Sequence, residues 1–183
     1  CPVYKEMPKE LTKEEIKEIQ NCFVEAAKRA ELAGFDGVEF HAAHGYLISG
    51  FLSKWSNMRK DEYGGSLENR LRFLTEILSE TKKLVNKDFA ILCRLSANEY
   101  VENGLETNEV KKIAKFLEEN HVDGLDISAG VAVTFDKMSP PTGSDETPYA
   151  DIVAEIKNEV SVPVISVARI LTPSKANEII SEK

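Results

Sequence analysis

Short apolar runs alternate with amphipathic helical patterns along the whole chain, and this alternation restricts the fold more than any other feature. The runs lie at residues 36–41, 89–95, 124–128 and 162–168. The second is almost continuously apolar, as strands of parallel sheets are when helices cover them. Helical periodicity of three to four residues fills residues 13–32, 66–85, 107–117 and 149–160 and returns from Pro173 to the end. A helix followed by four strand–helix repeats predicts right-handed βαβ units and a parallel sheet. Thr12 and Glu15 have the spacing of a capping box, Leu11 and Ile16 that of a hydrophobic staple, and Gly34 ends the first helix. Ser66 caps the next helix, and Pro173 opens the last at its first turn. Residues 42–65 read as a long polar loop, packed because it carries Tyr46, Leu47, Phe51, Leu52 and Trp55.

Such a sheet is either open or closed into a barrel. No GxGxxG follows any strand and no GxxxxGK[ST] occurs, which removes support from a dinucleotide-binding open sheet. Polar residues stand instead at the ends of all four strands: His41, Arg94 with Ser96, Ser128, and Arg169. In a (β/α)8 barrel the C-terminal strand ends carry the site. Four strands make half a barrel, and 183 residues fall short of the usual barrel of about 250. The chain begins at Cys1 without an initiator Met, which fits a piece of a longer protein.

The net charge of −8 argues against nucleic acid and anionic membranes as partners, since both repel an acidic surface. Cys1, Cys22 and Cys93 form no metal-ligand spacing or disulfide framework, and Cys22 and Cys93 sit in apolar patterns that predict core positions. No apolar run approaches the roughly 20 residues of a membrane span, and no signal peptide opens the chain. These features together predict a cytoplasmic protein.

The chemistry-bearing residues concentrate in HAAHGY, residues 41–46. If the chain turns helically there, His41 and His44 share a face and donate to one oxygen, polarising a carbonyl or holding an anion, and Tyr46 offers a phenolic proton. The alternative for an HxxH pair is metal ligation, with His121 the only further histidine. Arg94, within an apolar strand, is either an ion-pair partner of Glu39 or Asp126 or a cation beneath an electron-rich ligand. Arg169 either holds a phosphate with the adjacent backbone or covers the barrel rim. Arg59 and Asp61 read as a local ion pair, and Gly64 and Gly65 as a tight turn, locking the loop.

Residues 36–73, DGVEFHAAHGYLISGFLSKWSNMRKDEYGGSLENRLRF, closely resemble the Old Yellow Enzyme family of NADH:flavin oxidoreductases. ILCRLS at 91–96 and PVISVARI at 163–170 resemble later strands of the same family, in its branch with a His–His pair, which includes enoate and dienoyl-thioester reductases. The resemblance implies a TIM barrel of which residues 1–183 form a partial FMN-binding domain, roughly strands 4 to 7. It implies FMN as cofactor and NADH or NADPH as reductant, with hydride passing from flavin N5 to the β-carbon of an activated alkene. His41 and His44 would bind the substrate oxygen and Tyr46 would protonate the α-carbon. Arg94 would face the flavin's pyrimidine edge, with Ala168 and Arg169 near its phosphate. The family usually has Gly at the position of Ala168, so Ala requires a negative φ there. The remaining strands are absent, as is the region where some relatives bind an iron–sulfur cluster. The partner expected is therefore a small-molecule alkene. The alternative function is a catalytically incompetent barrel fragment with an incomplete FMN site, whose open edges invite a homo-oligomer. An unrelated barrel lyase would need a Schiff-base lysine at a strand end, whereas Lys54, Lys60 and Lys137 fall in loops.

Overall fold

The computed structural model describes residues 6–182. Its elements are α1 (Lys13–Leu32), β1 (Gly37–Ala42), α2 (Leu47–Leu52), α3 (Leu67–Leu84), β2 (Ala90–Ser96), α4 (Thr107–Glu119), β3 (Gly124–Ser128), α5 (Phe135–Met138), α6 (Ala150–Lys157), β4 (Val164–Ser166) and α7 (Pro173–Glu182). The four strands pair in parallel in the order β1-β2-β3-β4. This is the predicted α/β architecture, a four-stranded half of a barrel.

The caps explain why the helices start where they do. Thr12 Oγ1 accepts the Glu15 N–H at 3.2 Å and the Glu15 carboxylate accepts the Thr12 N–H at 2.8 Å, which completes the capping box. Leu11 packs against the core and Ile16 is fully buried, as a staple requires. Ser66 Oγ accepts the Asn69 N–H at 3.2 Å. The helices α1, α3, α4 and α6 then present apolar faces to one side of the sheet, where Phe40, Ile91, Cys93, Leu95, Leu125 and Ile127 are buried.

Several expectations need correction. The loop at 42–65 is packed, but it contains the helix α2, whose Ile48, Phe51 and Leu52 enter the core. Cys22 is exposed rather than in the core, because α1 turns that position outward between the buried Gln20 and Val24; Cys93 is buried as expected. Cys1 lies outside the described residues. The run at 162–168 supplies only three strand residues, and the chain has left the sheet before Ala168. Lys137 lies on the short α5.

The loop from Ser53 to α3 is locked. Arg59 holds Asp61 with two bonds of 3.0 and 2.6 Å and donates to the Leu11 carbonyl at 2.8 Å. Asn57 Nδ2 donates to the Phe51 and Tyr63 carbonyls, both at 2.7 Å. Gly64 is required by close approach, since a Cβ there would drive into the Arg59 carbonyl. Arg70, 1% exposed, donates to Glu109 at 2.5 Å, to Gly65 O at 3.2 Å and to Leu52 O. It lies on the same helical stripe as Leu74, Ile77 and Thr81, so its inward direction follows from period alone.

Among the described residues, no helix is long and apolar enough to cross a membrane.

Candidate functional site

Strand register assembles the site. His41 pairs with Arg94, Arg94 with Asp126, and Asp126 with Ile165, so these four residues form one row across the sheet. The row faces away from the helices, because the neighbouring row of Phe40, Cys93 and Leu125 is the helix-covered one. Arg94 Nε lies 3.7 Å from Asp126 Oδ1, so the register selects Asp126 over Glu39 as its ion-pair partner. That distance is too long for a hydrogen bond, and both atoms are buried with no hydrogen-bond partner.

His41 and His44 come together, though not by a helical turn. β1 continues to Ala42, and the chain then reverses through His44 at φ 64. The two rings meet edge to face with centroids 5.1 Å apart, and the Tyr46 ring lies 5.2 Å from His41. Tyr46 is the N-cap residue of α2 and is 60% exposed, so its hydroxyl is not tied into the fold.

His44 is the most constrained of the three. Its N–H donates to Ser96 Oγ at 3.0 Å, and Ser96 Oγ donates to the Gly130 carbonyl at 3.0 Å. Its ring Nε2 lies 2.8 Å from Ser128 Oγ. Burial, the Arg94 cation and His41 lower its pKa to about 4, which keeps the ring neutral. Burial and Arg94 also lower the pKa of His41, against the opposing pull of Asp126. Burial raises Asp126, with Arg94 opposing it.

A second polar cluster supports the same loop. Glu99 is fully buried and accepts from Ser53 Oγ at 2.5 Å, Leu105 N at 2.9 Å and Ser49 Oγ at 3.4 Å. Ser49 Oγ in turn accepts the N–H of Gly45, between His44 and Tyr46, at 3.2 Å. Burial raises the Glu99 pKa, against these hydrogen bonds. Sequence reading placed Ser96 and Ser128 at strand ends without partners and missed Glu99; its only signal was an acidic residue three positions after a strand.

The structure places Ala168 and Arg169 just past β4, both in the left-handed region at φ 79 and 50. The negative φ expected for Ala168 is therefore wrong. The turn needs a reversed backbone whichever side chain it carries, and the Cβ makes it strained. Arg169 Nη1 donates to the Pro141 carbonyl at 3.0 Å, and its carbonyl accepts the Thr147 N–H at 3.3 Å. The arginine thus ties down the loop after α5. Its Nε, like Ser166 Oγ, is buried without a partner. Arg94 Nε and Arg169 Nε are donors left without a hydrogen-bond partner on and beyond the strands, whereas Ser166, in register with Ile127, belongs to the helix-covered face. The two arginine donors fit an anionic or electron-rich ligand such as a flavin with its phosphate. By contrast, a cavity of about 500 Å³ lies between α6, β4 and α7 and is walled by Val153, Pro163, Ile165 and Ile180, with no histidine in its lining. Among the described residues no group of three or more His, Cys, Asp and Glu is placed to hold a metal ion.

A parallel sheet with polar groups at the C-terminal strand ends is the arrangement of a (β/α)8 barrel, the fold in which that end carries the site. The chain belongs to the NADH:flavin oxidoreductase / NADH oxidase family, whose model matches residues 2–183. It is 44% identical to the NADH oxidase of Thermoanaerobacter brockii, covering 100% of this chain and 28% of that protein. It is 46% identical to the NADPH dehydrogenase of Clostridium acetobutylicum, covering 95% of this chain and 50% of the relative. A solved 2-naphthoyl-CoA reductase in complex with 2-naphthoyl-CoA superposes with a TM-score of 0.89 at 32% identity, over 95% of this chain and 27% of that one. The old yellow enzyme homologue of Zymomonas mobilis superposes with a TM-score of 0.74 at 29% identity, over 96% and 47%. The chain therefore spans half or less of the length of these relatives.

Proposed function

We propose that the full-length protein is an FMN-dependent oxidoreductase that uses NADH or NADPH to reduce alkenes conjugated to an electron-withdrawing group. The observation that carries this reading is the His41–His44–Tyr46 ring cluster beside the Arg94 row. When bound, FMN supplies hydride to the alkene β-carbon. His41 and His44 hold the substrate oxygen and stabilise the negative charge that develops on it. Both rings have lowered pKa values, so they act as neutral donors. Tyr46, the exposed member of the cluster, delivers the proton to the α-carbon. Arg94 would favour negative charge on the flavin, and the unpaired Arg169 Nε, with the backbone at Ala168, would hold the phosphate end. The activity is assigned to the full-length protein, because β1 and β4 are edges of the four-stranded sheet and leave the barrel open. The 2-naphthoyl-CoA reductase among the solved relatives supports an activated carbonyl as the substrate class.

The test is His41→Ala in the flavin-loaded full-length protein. Loss of one donor to a charged oxygen is expected to weaken binding of a phenol or an enone by roughly ten- to a hundredfold. Binding within twofold of the unaltered protein would remove His41 from the site.

A further inference from the structure

His44 reaches the site as a neutral ring, so which of its nitrogens carries the proton decides what it can offer a ligand. Only Nε2 is engaged, 2.8 Å from Ser128 Oγ, and either partner could donate in that bond. The surroundings of Ser128 decide the direction. Ser128 ends β3, is 3% exposed, and its hydroxyl makes no other hydrogen bond among the described residues. If Nε2–H donated to Oγ, the serine proton would be buried with no acceptor. If the serine donates to Nε2, its buried proton has an acceptor and the ring proton moves to Nδ1. Ser96 cannot take over this role. Its oxygen already accepts the His44 N–H, and its proton already goes to the Gly130 carbonyl. The two serines thus divide the work: Ser96 fixes the backbone of His44 and Ser128 fixes its ring.

We infer that Ser128 is a positioning residue that donates to His44 Nε2 and so locks the ring in the Nδ1–H tautomer, making His44 an obligate donor to the ligand. Nδ1 has no partner among the described residues, which leaves it for that purpose. The consequence is a filter on ligand chemistry. A carbonyl, nitro or phenolate oxygen accepts from Nδ1–H, whereas a group that can only donate meets no acceptor on this ring. The statement rests on the proposed function only for what the ligand is; the tautomer itself does not depend on it.

The experiment uses the flavin-loaded full-length protein with ¹⁵N-labelled histidine, and long-range ¹H–¹⁵N spectra at neutral pH. The His44 signals are identified by their loss in His44→Gln. The expected result is a protonated Nδ1 and a bare Nε2 in the unaltered protein and in Ser128→Thr, which keeps the hydroxyl. Ser128→Ala is expected to give a mixture of tautomers. Phenolate binding by calorimetry is expected to weaken about three- to tenfold in Ser128→Ala, the range of one ordinary hydrogen bond, and to stay within twofold in Ser128→Thr. A protonated Nε2 in the unaltered protein, or an unchanged spectrum in Ser128→Ala, overturns the inference. Correct tautomers together with phenolate binding that is indifferent to both His41→Ala and Ser128→Ala would leave the positioning intact and overturn the ligand reading instead.

Discussion

Around β1 and β2 most buried polar groups are paired, with Arg94 Nε an exception. Arg70 has Glu109 and two carbonyls, Glu99 has two serines and a backbone N–H, and His44 is held by Ser96 and Ser128. Past β4 the pattern reverses. Ser166 Oγ and Arg169 Nε are buried without partners, Ala168 and Arg169 share a left-handed turn, and Leu171 and Ile180 are exposed. The first region is a finished scaffold that positions donors. The second is a set of groups held ready for something outside these residues. The difference separates a region whose polar groups largely satisfy one another from a turn past β4 that leaves buried polar groups open.

Three changes probe that contrast, beginning with the largest. Arg70→Ala removes the buried partner of Glu109, leaving it only Lys54 at 3.2 Å, strands two carbonyls, and should lower the stability of the full-length protein by about 3–5 kcal/mol. Urea titration measures it, and a loss below about 1 kcal/mol would mean that the buried network is not what holds this region. Next is the pH dependence. In the folded protein His44 titrates at about 4 instead of 6.5. Between those values the unfolded chain binds a proton that the folded protein does not, so stability rises as pH rises through that window. The slope from this ring should stay below the one-proton limit of about 1.4 kcal/mol per pH unit, since solvent still reaches it. His44→Gln should flatten the curve there, and an unchanged slope would assign it to other groups. The smallest effect is on the unfinished side. Ala168→Gly removes a Cβ from φ 79 and should stabilise by about 1 kcal/mol. A destabilised variant would show that the turn is not strained.

Much of this arrangement could be read from residues alone, and the exceptions have physical causes. The N-caps and periods of α1 and α3 depend on neighbours within one turn, so Thr12, Glu15 and Ser66 announced those helices. β3 was legible residue for residue because every one of its positions is buried. The helix α2 was hidden: it is six residues long, contains Gly50, and its N-cap Tyr46 makes no side-chain capping bond. β4 was overestimated because an apolar run does not reveal where a chain leaves a sheet. Of the candidate site, HAAHGY named the histidines and the tyrosine, but their meeting depends on a left-handed residue in place of the expected helical turn. The partners of His44 lie 52 and 84 residues away, and only the parallel register brings them to one end.

Strand order in this sheet equals chain order. A polypeptide emerging from the ribosome can therefore add each strand to an edge that already exists, and no pairing waits for a segment still to be made. The serines that discipline His44 sit on the second and third strands. The groups that hold His44 are thus in place once β3 has docked, while Ala168 and Arg169 are still being synthesised.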